Sequence, residues 1–423
     1  MRGRSVHGWV GLILALLLHS VQAQESADDL ALQLADNTAH AIGPRPAWRA
    51  FAEAGVQRSS NSELADEGAV AGIDLRADVR LTTDLNFIFS DRYDRYFRVF
   101  PSGQNKEVNS LRELYFDWRA TPHTSAQWGR INLRQGVATG YNPSDFFRAR
   151  ALRSAPSIDP EALRTNRLGV VALAVQNLWA SGAANVILAP RLADAPSTRP
   201  FGLDVGSTNA AHQALLTLTQ EITPEFKPQV SALWRENSQP QFGLNLSTLM
   251  GHSTVARLEW SGGRGLSMRA AALGTPEDVR FFHRAALGLT TTTENKLSLT
   301  AEYVYNGSGF SAAGWQALQA GGPSAIGSVL LLARDRIDPP SKQNWFFHAT
   351  WKDLLQPHLD LSAFARLSEA DQSRQTWLEL RYRLSATSEI YAQYQENKGA
   401  PGSVYGSTGV SSIYSAFFKY YFL

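Results

Sequence analysis

The last stretch of the chain, residues 411–423, reads SSIYSAFFKYYFL and alternates with a period of two. Successive side chains of a β-strand point to opposite faces. One face of this strand is apolar and aromatic throughout and consists of Tyr414, Ala416, Phe418, Tyr420 and Phe422. Such a stripe is either an inner strand of a soluble domain or a strand whose apolar face contacts lipid.

An aromatic-rich strand at the carboxyl terminus resembles the closing strand of bacterial outer-membrane β-barrels, in which a terminal aromatic residue recurs. This chain departs slightly from that pattern, because Phe422 is penultimate and Leu423 is last. The resemblance implies an all-β fold, namely a transmembrane antiparallel up-and-down β-barrel. The rest of the sequence has to be consistent with that expectation.

Composition narrows the class of protein. Of 423 residues, 18% are charged and 10% are aromatic, yet the mean hydropathy is only −0.22, which is unlike a helical membrane protein. A barrel explains this mixture, because half of each strand faces lipid and half faces water. A net charge of +2 gives no indication of a nucleic-acid partner. With no cysteine, the chain has no disulfide, thiolate metal site, cysteine nucleophile or lipoprotein anchor.

The amino terminus predicts export. Arg2 and Arg4 precede an apolar run from Trp9 to Leu18, and Val21-Gln22-Ala23 offers small residues for cleavage. We therefore interpret residues 1–23 as a signal peptide, residues 24–46 as a periplasmic lead-in and residues 47–423 as the barrel. The predicted location is the outer membrane of a Gram-negative cell.

Two-residue alternation recurs along the chain and predicts the strands. Ile73, Leu75, Ala77 and Val79 alternate with Asp74, Arg76, Asp78 and Arg80, so one face is apolar and the other fully charged. Short and long connections alternate between such segments, as short periplasmic turns and long extracellular loops do in barrels. The spacing predicts about 18 antiparallel strands, within a range of about 16 to 20 because residues 262–278 are ambiguous. No fixed repeat of a soluble propeller or β-helix is present.

The faces opposite the apolar stripes predict the pore lining. These faces are rich in arginine, and the predicted pore-lining residues are Arg76, Asp78, Arg80, Asp117, Arg119, Arg130, Arg257, Arg366, Arg381 and Arg383. Guanidinium groups bind carboxylate and phosphate bidentately and keep their charge, so this lining suits an anionic or sugar-like solute. Alternatively, these arginines pair with neighbouring acids into a ladder that only stabilises the wall.

A connection of about thirty residues follows Gln135, and loops of that length are usually functional. We expect it to fold inward and to narrow the pore through Asn142, Asp145, Arg148, Arg150 and Arg153, with a short helix after Asp145 and another after Asp159. The alternative is a loop that only packs over the barrel mouth. The segments WGR (128–130) and GYNPSDFF (140–147) resemble a motif of porin-like and exopolysaccharide-export barrels, closest in architecture to the 18-stranded alginate-export type. That resemblance implies a passive conduit for an anionic polymer or related solute.

A second long connection, residues 306–342, is unusually apolar. Because exposed apolar patches are rare without a partner, its helices either plug the lumen, dock on the inner wall, or bind a partner or lipid.

The functional alternatives are a channel, a structural or assembly barrel that docks a partner through its loops, and a lipid-active enzyme. No histidine lies in a compact signature with serine and an acid, and neither an HExxH motif nor an acidic calcium loop is present, so we expect no enzyme activity, metal or cofactor. The expected partners are outer-membrane lipid and a solute in the lumen. A homo-oligomer or a periplasmic export partner is left open.

Overall fold

The computed structural model describes residues 47–60, 67–99, 104–154, 156–197, 199–277 and 279–422. The predicted signal peptide (1–23) and lead-in (24–46) lie outside the described residues.

The described chain forms one sheet of eighteen antiparallel strands, as the alternation predicts. The strands are β1 Trp48–Ser60, β2 Glu67–Arg80, β3 Leu85–Val99, β4 Gln104–Arg119, β5 Thr124–Ile131, β6 Val170–Trp179, β7 Gly182–Ala189, β8 Gln213–Gln220, β9 Gln229–Arg235, β10 Gln241–Met250, β11 Thr254–Gly265, β12 Arg280–Thr292, β13 Leu297–Asn306, β14 Gln343–Trp351, β15 Leu359–Ser368, β16 Arg374–Arg383, β17 Ser388–Lys398 and β18 Ser412–Phe422. Each strand pairs with the next one in sequence, which is the up-and-down topology.

The sheet closes on itself through β1 and β18. These two strands pair continuously from Ala50↔Phe422 to Ser60↔Ser412. At the last pair of this seam, the hydroxyl oxygen of Ser60 lies 2.6 Å from that of Ser412. Closure leaves no strand edge unpaired, which a sheet in hydrocarbon requires because lipid offers backbone groups no hydrogen-bond partner. The fold is therefore a closed transmembrane β-barrel.

The two faces of each strand have opposite surroundings. On β18, Phe418 is 46% exposed on the outside, whereas the neighbouring Phe417 is 5% exposed and faces inward. The same exposure of large apolar side chains recurs on other strands, for example at Ile73, Leu287 and Phe347. The apolar faces therefore form a band around the outside of the barrel, as the sequence predicts.

Connections differ at the two ends of the barrel, which we call the short-turn end and the long-loop end. The short-turn end holds turns such as 81–84, 251–253 and 384–387, and the long-loop end holds the helices. The helices are α1 Pro160–Thr165, α2 Val205–Thr208, α3 Met268–Leu273, α4 Ala312–Gln319 and α5 Pro323–Arg336. Among the described residues, no helix combines the length and the apolar content needed to cross a bilayer.

The ambiguous region 262–278 is now defined. Strand β11 continues to Gly265, and α3 forms the core of the loop that follows. One long-loop-end connection was not predicted: residues 236–240 join β9 to β10 with only five residues. The connection 369–373 at the same end also has five residues, so length alone does not identify the long-loop end.

Strands β3 and β4 are longer than the sequence suggested. The tyrosine, arginine and aspartate residues of segment 91–97 have the composition of a polar barrel rim, but β3 continues through them to Val99, and β4 begins at Gln104. Arg92 and Asp94 face inward and are buried. A bulge opposite Ser90 and Asp91 shifts the register of β4, which brings Arg112 to the inner face beside Glu113. The inward face of β3 and β4 is charged here, so a search for alternating apolar residues does not detect this part of the two strands.

The long connection 306–342 buries its own apolar residues. Trp315 and Leu318 of α4 pack with Val329 of α5, and this cluster includes Met268 of α3 and Val404 of the last long loop. Trp315 also donates from Nε1 to the carbonyl oxygen of Gly402 at 3.1 Å. Three long loops therefore share one core at the long-loop end.

An arginine on the outer apolar band should destabilise the barrel. We predict that Leu287→Arg lowers the free energy of unfolding in phospholipid vesicles by about 2–4 kcal/mol, because the charge enters hydrocarbon. Leu287 is 56% exposed and is paired with Leu258 and Tyr303 of the adjacent strands. Urea titration monitored by tryptophan fluorescence measures the change.

The matched control is Leu355→Arg, because Leu355 is 92% exposed in the turn between β14 and β15 at the short-turn end. This control should change the unfolding free energy by less than about 0.5 kcal/mol. Equal effects of the two substitutions would show that the band around Leu287 does not face lipid.

Candidate functional site

The connection between β5 and β6 contacts inward-facing side chains of several strands. It leaves the wall at Ile131 and immediately contacts side chains of β11 and β13, which belong to a distant part of the wall. We call this segment the inner loop. Its backbone has to find hydrogen-bond partners inside the barrel, and two buried carboxylates supply them.

Glu259 of β11 is the first of these anchors and has no exposed surface. It accepts hydrogen bonds from the backbone N–H groups of Val137 (2.8 Å), Ala138 (3.0 Å) and Ser144 (2.8 Å). The hydroxyl of Ser144 (2.9 Å) and Nδ2 of Asn142 (3.1 Å) also donate to it. Five donors on one carboxylate compensate for its removal from water.

Glu302 of β13 is the second anchor and is 1% exposed. It accepts from the backbone N–H groups of Thr139 (2.5 Å) and Gly140 (2.7 Å). Gly140 lies so close to Phe346 that a Cβ atom there would collide with the ring. Glycine at this position therefore allows the inner loop to approach the wall closely.

The apolar part of the inner loop packs on a different part of the wall. Phe146 and Phe147 pack on inward-facing residues of β5–β9, including Ile187, Leu215 and Leu233. Further along, Ser154 donates to Asp94 of β3 at 2.7 Å, and Asp159 lies 3.6 Å from His348 of β14. The inner loop therefore contacts β3 at Ser154 and β14 at Asp159.

Of the predicted constriction residues, Asn142 and Asp145 are buried within the inner loop. Asn142 donates to the carbonyl oxygen of Ala138 at 2.7 Å in addition to Glu259. Asp145 caps no helix, contrary to expectation, because its carboxylate instead pairs with Arg167 at 2.7 Å. The helix expected after Asp159 does form as α1, with that carboxylate accepting from the N–H groups of Glu161 and Ala162.

Arg148 and Arg150 connect the inner loop to the chain around the end of α5. Arg148 forms an ion pair with Asp338, which also accepts from the hydroxyl of Tyr141 at 2.9 Å. The backbone N–H of Arg150 donates to the carbonyl oxygen of Asp335 at 2.6 Å. We call these contacts the clasp, because they fasten two long loops to each other.

Arg153 and Arg130 hold backbone carbonyl groups. Arg153 donates to the carbonyl oxygens of Asn109 (3.1 Å), Gly202 (2.8 Å) and Arg199 (2.8 Å). Arg130 is 4% exposed and donates to the carbonyl oxygens of Gly169 (3.1 Å) and Leu203. Both side chains therefore hold the connection between β7 and β8 in place at the long-loop end.

A network of alternating charges covers the inner face of β16–β18 and β1–β4. Its ion pairs are Arg381–Glu379 (2.7 Å), Arg381–Glu389, Lys419–Glu389 (3.3 Å), Lys419–Glu53 (3.2 Å), Arg92–Glu53 (2.8 Å), Arg92–Asp94 (2.9 Å), Arg112–Asp74 (2.7 Å) and Arg76–Glu113 (3.8 Å). This is the ladder that the sequence analysis left open as an alternative. Arg92, Arg112 and Lys419 were not among the predicted residues, although Arg92, Asp94 and Tyr96 continue the inward period of β3.

Other predicted pore-lining arginines have no acidic partner. Arg257 donates to Oγ1 of Thr290 at 2.6 Å, and Arg366 donates to Gln375 at 3.2 Å. The guanidinium of Arg366 also lies 4.6 Å from the ring centroid of Phe364. Within the part of the chain that the structure describes, no carboxylate lies within ion-pair distance of either guanidinium.

The remaining predicted pore residues lie toward the short-turn end. Asp78, Arg80, Arg119 and Arg383 are exposed near the ends of their strands, and Asp117 is half-buried. Among the described residues, no group of acidic or histidine side chains could hold a metal ion.

The chain matches no protein-family model and no curated protein. Solved structures of low identity share its fold. Acinetobacter baumannii OccAB1 has a TM-score of 0.52 at 9% identity, covering 89% of this chain and 96% of that one. Pseudomonas aeruginosa OccK5 (OpdH) has a TM-score of 0.53 at 8% identity, covering 88% and 97%. Pseudomonas aeruginosa OccK2 (OpdF) in complex with glucuronate has a TM-score of 0.54 at 10% identity, covering 88% and 97%.

These likenesses support the closed porin-like barrel as the fold of this chain. The finer resemblance to alginate-export barrels is not supported by them and stays a prediction.

Replacing Glu259 by glutamine should release the inner loop. An amide presents two N–H donors where five donors now converge, so Glu259→Gln loses charge-assisted hydrogen bonds worth about 1.5–3 kcal/mol each. We predict that hydrogen-exchange protection of amides 137–144 falls at least about tenfold. The control Glu277→Gln, in the loop that contains α3, should leave these amides protected. Unchanged protection in Glu259→Gln would mean that packing alone holds the loop.

The clasp should weaken in acid. Burial favours the neutral form of Asp338, but Arg148, Arg284 and the Tyr141 hydroxyl outweigh burial and hold its pKa below the ordinary value. An unfolded aspartate titrates near about 3.9. Because the folded pKa is lower, the stabilisation by Asp338 is complete above about pH 4 and is lost as the pH falls through the folded pKa.

Hydrogen exchange at the Arg150 amide measures this effect. Its protection factor should be equal at pH 7 and pH 5 and should fall below pH 4. In Asp338→Asn, protection should be low at every pH. A variant with the protection and pH dependence of the native protein would exclude the carboxylate as the titrating group.

Proposed function

We propose that this protein is a non-enzymatic channel of a Gram-negative outer membrane, through which small solutes pass passively. The observation that carries the proposal is the inner loop, which crosses the lumen of a lipid-facing barrel and is anchored by Glu259 and Glu302. A loop held in this way narrows the passage at a defined depth and selects solutes by size and charge. Support for the class comes from the fold shared with OccAB1, OccK5 and OccK2.

We propose further that the preferred solutes are anionic or sugar-like. Arg257 and Arg366 lie on the inner wall without an ion-pair partner among the described residues, and Arg366 lies against an aromatic ring. Guanidinium groups recognise carboxylate and phosphate, and an aromatic face suits a sugar ring. The OccK2 structure contains glucuronate, which is an anionic sugar. Small solutes fit this barrel better than a polymer such as alginate, because the inner loop contacts inward-facing residues on separate parts of the wall, such as Asp94 on β3 and His348 on β14.

A structural or assembly barrel that docks a partner is the second candidate. The charge ladder on β16–β18 and β1–β4 favours it, because arginines paired with acids stabilise a wall without attracting a solute. This candidate predicts an occluded lumen and a stable stoichiometric partner.

Planar bilayer recording separates the two candidates. The native protein should show single-channel conductance with a reversal potential that reports anion preference in a KCl gradient. Replacing both Arg257 and Arg366 by glutamine should lower the anion-to-cation permeability ratio at least about twofold, because two positive charges leave the wall. The control Arg191→Gln should leave the ratio unchanged, because Arg191 is exposed and paired with Asp194.

A variant in which residues 312–336 are replaced by a short Gly-Ser linker completes this test. It removes α4 and α5 and should conduct at least as well as the native chain. Absence of conductance in both proteins would refute the channel and favour the structural barrel.

A further inference from the structure

Three arginines from separate elements meet at the long-loop end of the barrel interior. Arg150 belongs to the inner loop, Arg235 ends β9, and Arg336 ends α5. The hydrogen bond from the Arg150 amide to the Asp335 carbonyl oxygen (2.6 Å) brings the first beside the third. Arg235 interacts electrostatically with both of the others. We call this group the arginine triad.

The arginine triad has no acidic partner. Among the residues that the structure describes, no carboxylate lies within ion-pair distance of Arg150, Arg235 or Arg336. The nearby Asp338 is already paired with Arg148 and lies 3.8 Å from Arg284. Burial and the positive charges of Arg284 and Arg150 lower the pKa of Arg336 despite Asp338. Positive groups at this place therefore outnumber the one nearby carboxylate, Asp338.

The guanidinium of Arg235 is oriented without being neutralised. Its Nε (3.1 Å) and Nη2 (2.8 Å) both donate to Oε1 of Gln213, which is buried opposite it on β8. An amide oxygen holds the guanidinium plane in place but carries no charge, so the Nη1 donors stay available for a ligand. A carboxylate at the position of Gln213 would have cancelled the charge.

The backbone of Arg150 is also held in a defined conformation. Its φ of 57° lies in the left-handed region, which a residue with a Cβ rarely adopts. The clasp maintains this conformation through the amide hydrogen bond to Asp335, while the side chain of Arg150 is exposed. A left-handed conformation of this kind persists only where the surrounding contacts hold it in place.

We propose that the arginine triad binds a small, multiply charged anion, an oligophosphate or a polycarboxylate, at the long-loop mouth of the lumen. Several guanidinium groups bind several oxygen atoms of one such anion bidentately, which a singly charged solute cannot exploit. Lys106 lies within electrostatic reach of Arg334 and Arg153 and adds to the positive field around the mouth. The inference rests on the proposed channel only in taking the bound anion to be a solute on its way through.

Titration calorimetry of the full chain in detergent with pyrophosphate as the ligand tests the site. The native protein should bind one pyrophosphate, and Arg150→Gln, Arg235→Gln and Arg336→Gln should each weaken binding at least about tenfold, since each removes a charge-assisted contact. Arg235→Lys should retain part of the affinity. The control Arg191→Gln, also at the long-loop end, should bind as the native chain does. Far-ultraviolet circular dichroism verifies that each variant is folded.

Bilayer recording supplies the second arm. Pyrophosphate added on the long-loop side should reduce the current at lower concentrations than pyrophosphate added on the short-turn side, and this asymmetry should be absent from Arg235→Gln. Lack of binding by the native protein, or equal binding by native protein and all three glutamine variants, would overturn the triad as an anion site.

The two proposals fail separately. Conductance without pyrophosphate binding overturns the anion site and leaves the channel standing. Pyrophosphate binding by the native protein overturns the channel and leaves the site standing if neither the native protein nor the variant without residues 312–336, which also lacks Arg336, conducts.

Discussion

Closure of the sheet between β1 and β18 is the constraint on which the rest of the structure depends. Lipid cannot satisfy a backbone N–H or C=O group, so a sheet in hydrocarbon is stable only when no strand edge is left open. The continuous pairing from Ala50 to Ser60 meets that requirement at the seam. Closure also separates two environments, because every strand must then present apolar side chains outside and can present polar ones only inside. The interior thereby becomes the place where charge, loops and function have to be accommodated.

Charge inside the barrel is used in two different ways. On β16–β18 and β1–β4 it is neutralised by neighbouring charges of opposite sign, and this ladder crosses the closure seam through Lys419 and Glu53. On β11 and β13 it is neutralised by backbone dipoles, because Glu259 and Glu302 receive the N–H groups of the inner loop. The second arrangement satisfies the carboxylates and the loop at once. Arginines elsewhere, such as Arg257 and those of the arginine triad, have no ion-pair partner among the described residues.

Residues chosen from the sequence as one functional group divide into several in the structure. Arg148 and Arg153 were predicted to line a constriction, but one pairs with Asp338 and the other holds carbonyl groups of neighbouring loops. Arg92 and Arg112 were not predicted to line the pore. Arg92 lies in a charged segment whose composition is that of a polar barrel rim, and a bulge shifts the register of Arg112. Arg235 carries no motif at all. Its proposed role depends on Gln213, Arg150 and Arg336, which come together with it only when the chain folds.

The amino-acid sequence by itself determined the alternation of the strands, their approximate number and, away from the bulge in β4, the side of the sheet on which a residue lies. Those properties are local, since a strand's period of two and the contrast between lipid and water act on every residue independently of its distant neighbours. Tertiary structure decided which charges are neutralised and which remain free. That outcome depends on where the inner loop crosses the lumen and on which carboxylates it reaches, such as Glu259, more than a hundred positions further along the chain. No local pattern encodes such a long-range pairing, because its energy arises only when the closed barrel removes both partners from water.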